Sequence, residues 1–111
     1  GLRANFVGPR IDAVLLLAGG AGIAPIMGLL RDMEARRDRR PIRLAYAAGR
    51  PANFAFIDEI EASKDIVALE TMFVSEEDKP GWRGALGVLD PSRLTSLLDG
   101  LQPERTVAFI C

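Results

Sequence analysis

The stretch from Ala13 to Leu30, AVLLLAGGAGIAPIMGLL, constrains the fold of this chain more than any other. Its opening run, Ala13 to Ala18, has no polar alternation and reads as a short strand buried on both faces. Glycines follow at positions 19, 20 and 22. Behind Pro25, the residues Ile26, Leu29, Leu30 and Met33 recur at helical spacing, which predicts a helix from about Pro25 to Arg37. A buried strand, a glycine turn and a helix in this order predict the first unit of a parallel sheet.

The turn has its own chemistry. Glycine tolerates positive φ and lets a ligand approach the backbone with no Cβ in the way. A turn of this kind delivers N–H groups at a helix N-terminus, which suits a pyrophosphate. Pro25 fits the first helical turn, where its missing N–H is no loss and its fixed φ starts the helix. The usual dinucleotide fingerprint, G-x-G-x-x-G, matches Gly20 and Gly22 but not Pro25. Its acidic partner at the end of the second strand is also missing, because that strand ends AAGR. The turn is therefore not the usual fingerprint. A tight strand–helix connection without a ligand is the other reading that the glycines allow.

Beyond the turn, Ile42–Ala48 is the second predicted strand, and GRPAN follows it as a turn. Asn53 is the expected N-cap of a short helix with Phe56, Ile57 and Ile60 on its inner face. Asp65–Val74 is the third expected strand, followed by a polar loop, SEEDKPGWRGALG. The next helix is well marked: Asp90 as cap, Pro91 at the first position, Leu94, Leu97 and Leu98 facing inward, and Gly100 as stop. Thr106–Cys111 is a fourth strand. Strands alternating with helices predict a three-layer, doubly wound parallel α/β sheet. The chain stops at the carboxyl end of a strand, and residues 1–12 carry no clear element. It reads as an excised domain or a fragment of one.

Composition narrows the chemistry. The 111 residues suffice for one domain with a real core, and a net charge of −1 offers no footprint for nucleic acid. No apolar run reaches bilayer length, so membrane contact by this segment is not expected. A single cysteine excludes an internal disulfide and fits a reducing, cytoplasmic compartment. Histidine is absent, which removes His-based triads and most zinc sites, so no metal site is expected. Acid–base catalysis is thus not the expected contribution of these residues.

AGGAGIAPIMGLL closely resembles the pyridine-nucleotide-binding domain of the ferredoxin–NADP reductase family, whose glycine turn runs into Ile-Ala/Thr-Pro. IRLAYAAGRPANFAFIDEI resembles that family's second strand, its Gly-x-Arg-type turn and the helix behind it. MFVSEED with GWRGALGVL resembles its third strand and Trp-x-Gly-x-x-Gly loop, and VAFIC the strand that leads into its Cys-Gly-Pro motif. The resemblance covers nearly all of residues 13–111, in the family's order.

The resemblance implies a flavin-dependent oxidoreductase, with FAD or FMN on a separate domain of the same protein. Residues 13–111 would be its NAD(P)H-binding domain without the last helix and strand, and residues 1–12 the tail of the interdomain connection. This domain would position NAD(P)H for hydride transfer, and the piece alone would be inactive. By resemblance, Gly19, Gly20, Ala21, Gly22, Ile23 and Pro25 hold the pyrophosphate. Gly49 and Arg50 lie beside the adenosine half, and Ser75 and Glu76 meet the adenosine ribose. Cys111 sits near the nicotinamide and flavin rings as the catalytic candidate. Glu76 stands where NADPH-using relatives carry an arginine, so NADH is the favoured donor. The downstream electron acceptor is not legible. The implied location is cytoplasmic, alone or as the cytoplasmic part of a larger, even membrane-tethered protein.

Simpler roles stand beside these. The lesser reading of Arg50 is a turn residue paired with a nearby carboxylate, and Cys111, taken without the family, reads as a small buried strand residue. Trp82 is expected to pack the long loop onto the sheet, and Glu76 to Asp78 also read as solvated loop charges. The rival for the whole chain is a doubly wound nucleotide-binding or regulatory module with no redox activity.

Overall fold

The computed structural model describes residues 10–111. Five strands form one parallel sheet: β1 (Ala13–Gly19), β2 (Ile42–Ala48), β3 (Leu69–Ser75), β4 (Ala85–Leu86) and β5 (Thr106–Ile110). Their order is β4-β3-β2-β1-β5. The helices are α1 (Ile23–Ala35), α2 (Ile57–Ser63) and α3 (Pro91–Leu97). Among the described residues no helix is long and apolar enough to cross a membrane. The expected tail, residues 1–12, lies mostly outside the described residues. Of its last members, Asp12 donates its backbone N–H to Arg105 O at 2.8 Å.

Alternation along β1 explains the layers. Val14, Leu16 and Ala18 meet Ile26, Met27, Leu30 and Met33 of α1, with Ile60 of α2, in the main core. Leu15 and Leu17 point the other way, toward Leu97 of α3 and Ala45 of β2. Both faces of β1 are therefore covered, which is why its sequence shows no polar alternation. The arrangement is the doubly wound α/β sheet that the sequence predicts.

Polar ties hold the helices down. Arg31 of α1 grips Glu59 of α2 through two hydrogen bonds of 2.6 and 2.8 Å. Ser63 of α2 donates to Glu34 of α1. On the other face Arg43 of β2 donates to the carbonyl oxygens of Leu97 and Asp99 at the end of α3. It also pairs with Glu70 at 3.0 Å.

The structure corrects several expectations. Asn53 caps no helix but closes a 3-10 turn, Pro51–Asn53, and α2 begins only after Phe56, whose φ is 64°. Phe56 lies off the inner face, the residue 41% exposed, with the Arg31 guanidinium 5.5 Å from its ring centroid. The third strand starts at Leu69, not Asp65, because the chain leaving α2 winds on: Val67 N–H still reaches Ser63 O at 3.0 Å. The sheet has a fifth strand, β4, inside the polar loop. It holds only two residues, pairing Ala85 with Val74 and Leu86 with Ser75, too short to leave a pattern. The last strand ends at Ile110, and Cys111 is exposed, not buried.

Candidate functional site

The carboxyl ends of β1 and β5 meet where the strand order reverses, and open α/β sheets form their ligand crevices at such a point. Gly19 closes β1 and donates its N–H to Cys111 O at 2.9 Å, while Cys111 N–H reaches Leu17 O at 2.9 Å. The chain then makes a 3-10 turn, Gly20–Gly22, and enters α1. Gly20 has φ +53°, a left-handed value, and a Cβ there would meet nothing within 4 Å. Gly22 is opposite in character. A Cβ on it would drive into the carbonyl carbon and oxygen of Cys111.

α1 starts with no side-chain cap and no acidic residue in its first turn. Most helices satisfy those first N–H groups with a Ser, Thr, Asp or Asn side chain. Here the Ile23 N–H turns back into the 3-10 turn, and the positive end of the helix stands beside a Gly20 whose Cβ position is open, an arrangement fit for an anion. Ala21 and Pro25 are exposed on this surface. Ile23 differs: its side chain is in the core, 4% exposed, so only its backbone borders the turn.

A cleft of about 330 Å³ leads away from the turn. Its walls include Gly20, Ala21, Tyr46, Gly49, Asn53 and Ala55. Tyr46 is fully buried, and its hydroxyl accepts the Ala55 N–H at 3.0 Å, pinning the loop behind β2. Phe54 lies between Tyr46 and Trp82, its ring tilted to both, with centroids 4.7 and 4.8 Å away. Trp82 donates its indole N–H to Ala85 O at 3.1 Å, so it packs the long loop onto the sheet as expected. The sequence reading missed Tyr46. Its signal was available, because a tyrosine inside an apolar strand must find a polar partner beyond the strand.

The loops after β2 and β3 run side by side. Glu76 N–H reaches Ala48 O at 3.1 Å and Glu77 N–H reaches Gly49 O at 3.0 Å. A Cβ on Gly49 would stand 3.5 Å from Glu76 Oε2, so that carboxylate lies against the glycine. Arg50 pairs with Glu77 at 3.6 Å, both side chains being largely exposed. Ser75 is fully buried and its hydroxyl donates to Glu77 O at 2.7 Å, away from the cleft. The fold thus gathers the sequence's candidates into two neighbourhoods, Gly19–Pro25 with Cys111, and Gly49–Arg50 with Ser75–Glu77, and the cleft runs between Gly20 and Gly49.

The fold is a parallel α/β domain with a crevice beside a glycine turn at its switch point. Residues 16–111 match the model of the oxidoreductase NAD-binding domain family, and the chain belongs to that family. It is 47% identical over 47 residues to the reductase component of propane 2-monooxygenase from Mycolicibacterium smegmatis, covering 42% of this chain and 14% of that protein. It is 29% identical over 107 residues to NADH-cytochrome b5 reductase 2 of Lodderomyces elongisporus, covering 92% and 35%. A ferredoxin NADP+ reductase from Neisseria gonorrhoeae, solved with FAD and NADP, superposes with a TM-score of 0.71 at 25% identity, over 93% of this chain and 44% of that one. The match therefore spans only a minor part, 14% to 35%, of these two curated relatives.

Proposed function

We propose that residues 13–111 form the nucleotide-binding domain of a flavin-dependent NAD(P)H oxidoreductase, with NADH as the favoured donor. The observation that carries this reading is the start of α1: uncapped, free of acidic residues in its first turn, and beside Gly20, whose Cβ position is open. The family and the named reductases among the relatives support the reaction class. The redox chemistry belongs to the cofactors: the nicotinamide supplies a hydride equivalent and a flavin, FAD or FMN, on a separate domain accepts it.

The chain's own residues bind and orient. The Gly19–Pro25 turn takes the pyrophosphate through the helix dipole and those of its backbone N–H groups left free, since the Gly19 N–H is spent on Cys111 O, the Ile23 N–H turns back into the 3-10 turn and Pro25 has none. Gly49 and Arg50 flank the adenosine half, and the Ser75–Glu76 segment meets its ribose through Glu76, Ser75 being buried. Cys111, exposed at the switch point beside Gly22, borders the nicotinamide end. The compartment is cytoplasmic, and the nearest partner is the flavin domain of the same protein.

Glu76 favours NADH on electrostatic grounds. A carboxylate accepts hydrogen bonds from a ribose 2′-hydroxyl but repels a 2′-phosphate by about 1–4 kcal/mol at ~4 Å, for effective dielectrics from bulk water down to ~20. Glu76 is exposed, so screening places the effect toward the lower end, about tenfold in affinity. The test is a calorimetric titration of the full-length chain with NAD+ and NADP+, repeated for Glu76→Arg. Wild type should prefer NAD+, and the variant should narrow or reverse the ratio. A wild-type preference for NADP+, or an unmoved ratio in the variant, refutes this assignment.

A further inference from the structure

Ser75 ends β3 in an unusual position for a residue next to a binding loop: it has no exposed surface. Its hydroxyl donates to the carbonyl oxygen of Glu77, two residues ahead, at 2.7 Å. Its own carbonyl accepts the Gly87 N–H at 2.8 Å, which ties it to the strand beyond the long loop. The backbone N–H groups of Glu76 and Glu77 are spent on Ala48 and Gly49, at 3.1 and 3.0 Å. Besides the exposed Arg50–Glu77 ion pair, the Ser75 hydroxyl is the side-chain group that holds this turn, through the Glu77 backbone.

The anchored turn has one consequence at its surface. It sets the Glu76 carboxylate against Gly49, with Oε2 3.5 Å from the place a Cβ on that glycine would take. Gly49 in turn forms part of the cleft wall. A carboxylate on a loosely held loop rotates or swings away from an approaching phosphate and loses most of its repulsion to solvent. One whose backbone is anchored on both sides swings less, although its exposed carboxylate is still screened. The nearby Arg50–Glu77 pair, at 3.6 Å between two largely exposed side chains, adds little restraint of its own.

We infer that Ser75 is a positioning residue for nucleotide discrimination. Its buried hydroxyl holds the Glu76–Glu77 turn so that the Glu76 carboxylate stays over Gly49, and the hydroxyl itself does not touch the nucleotide. This inference rests on the nucleotide reading above, in which the ribose lies near Glu76.

A double-mutant cycle on the full-length chain tests it, with NAD+ and NADP+ affinities measured by calorimetry for wild type, Ser75→Ala, Glu76→Gln and the pair. Circular dichroism confirms that each variant is folded. In the presence of Glu76, Ser75→Ala should lower the NAD+ over NADP+ preference about threefold or more, the range expected for coupled neighbours. In the Glu76→Gln background the same substitution should leave the preference unmoved. A purely structural serine would lower thermal stability and leave the ratio alone in both backgrounds, which overturns the proposal. A serine that contacts the nucleotide directly would shift the affinities equally in both backgrounds, which also overturns it. If wild type binds neither nucleotide, the nucleotide reading itself falls and takes the proposal with it. If wild type discriminates while Ser75→Ala keeps the full ratio, only the role of Ser75 is lost.

Discussion

A Cβ on Gly22 would occupy the space held by the carbonyl group of Cys111, whereas one on Gly20, two residues earlier, would touch nothing within 4 Å. The two glycines of one turn are therefore required for different reasons. Gly22 lets the start of α1 close onto the end of β5. Gly20 supplies a left-handed bend and leaves its outer side open.

This difference predicts that the two alanine variants lose stability for different reasons, and that Gly20→Ala also touches binding. Gly22→Ala must push backbone against backbone and should cost about 1–3 kcal/mol, the usual penalty for overpacking. Gly20→Ala meets no atom and should cost only the left-handed strain, about 1–2 kcal/mol. Yet Gly20→Ala places its methyl group where the proposed pyrophosphate would approach, so it should weaken nucleotide binding in a folded protein. Denaturant melts paired with NAD+ titrations separate the two. Equal loss of stability with unchanged binding in Gly20→Ala would make the turn purely structural.

Arg43 should prove costly to remove. Its guanidinium sits in β2, is only 14% exposed as a side chain, and serves the carbonyls of Leu97 and Asp99 and the carboxylate of Glu70. α3 is only Pro91–Leu97 and buries Leu97 alone, so this tie is a large share of what holds it. Arg43→Met should lower unfolding free energy by about 1.5–3 kcal/mol, the range for hydrogen bonds to a charged group. Arg43→Lys should recover only part of that, since one ammonium cannot reproduce the fork. A melt of Arg43→Met that matches wild type would refute the role.

Acid should loosen the α1–α2 contact. The Arg31 hydrogen bonds hold the Glu59 carboxyl below the ordinary carboxylate range. Asp38 is lowered in the same sense by Arg40, through side-chain and backbone hydrogen bonds. A group whose pKa is lowered by folding contributes stability that is present above its unfolded pKa and is lost as pH falls through the folded value. Thermal midpoints should thus hold steady above about pH 5 and drop below about pH 4. Glu59→Gln should flatten part of that drop. An unchanged acid limb in Glu59→Gln would show that the pair carries no pH dependence.

Local chemistry explains which elements were legible. α3 was readable because its signals lie within a few residues: the Asp90 carboxylate accepts the Arg93 N–H at 2.9 Å, Pro91 takes the first position, and Gly100 follows at φ +85°. β1 was readable because burial on both faces leaves an uninterrupted apolar run. The start of α2 was misread because Asn53 looks like a cap by type, while the chain is in fact held there from outside. Phe54 packs against Tyr46 and Trp82, and Ala55 is hydrogen bonded to Tyr46. Those partners are distant in sequence, so no local window contains them.

The sequence by itself determined the alternation of strands and helices, the glycine turn behind the first strand, and which residue types stand at the strand ends. These follow from periodicity, backbone freedom and capping, which act within a few residues. Only the tertiary structure decided what each candidate faces. It placed Gly22 against Cys111, turned the Ser75 hydroxyl inward to Glu77, and set Glu76 against Gly49. It also built β4 from two residues whose pairing with β3 depends on the loop being folded back by Trp82. The reason is physical: contacts between the ends of separate parallel strands form only when the crossover helices have brought those strands into register.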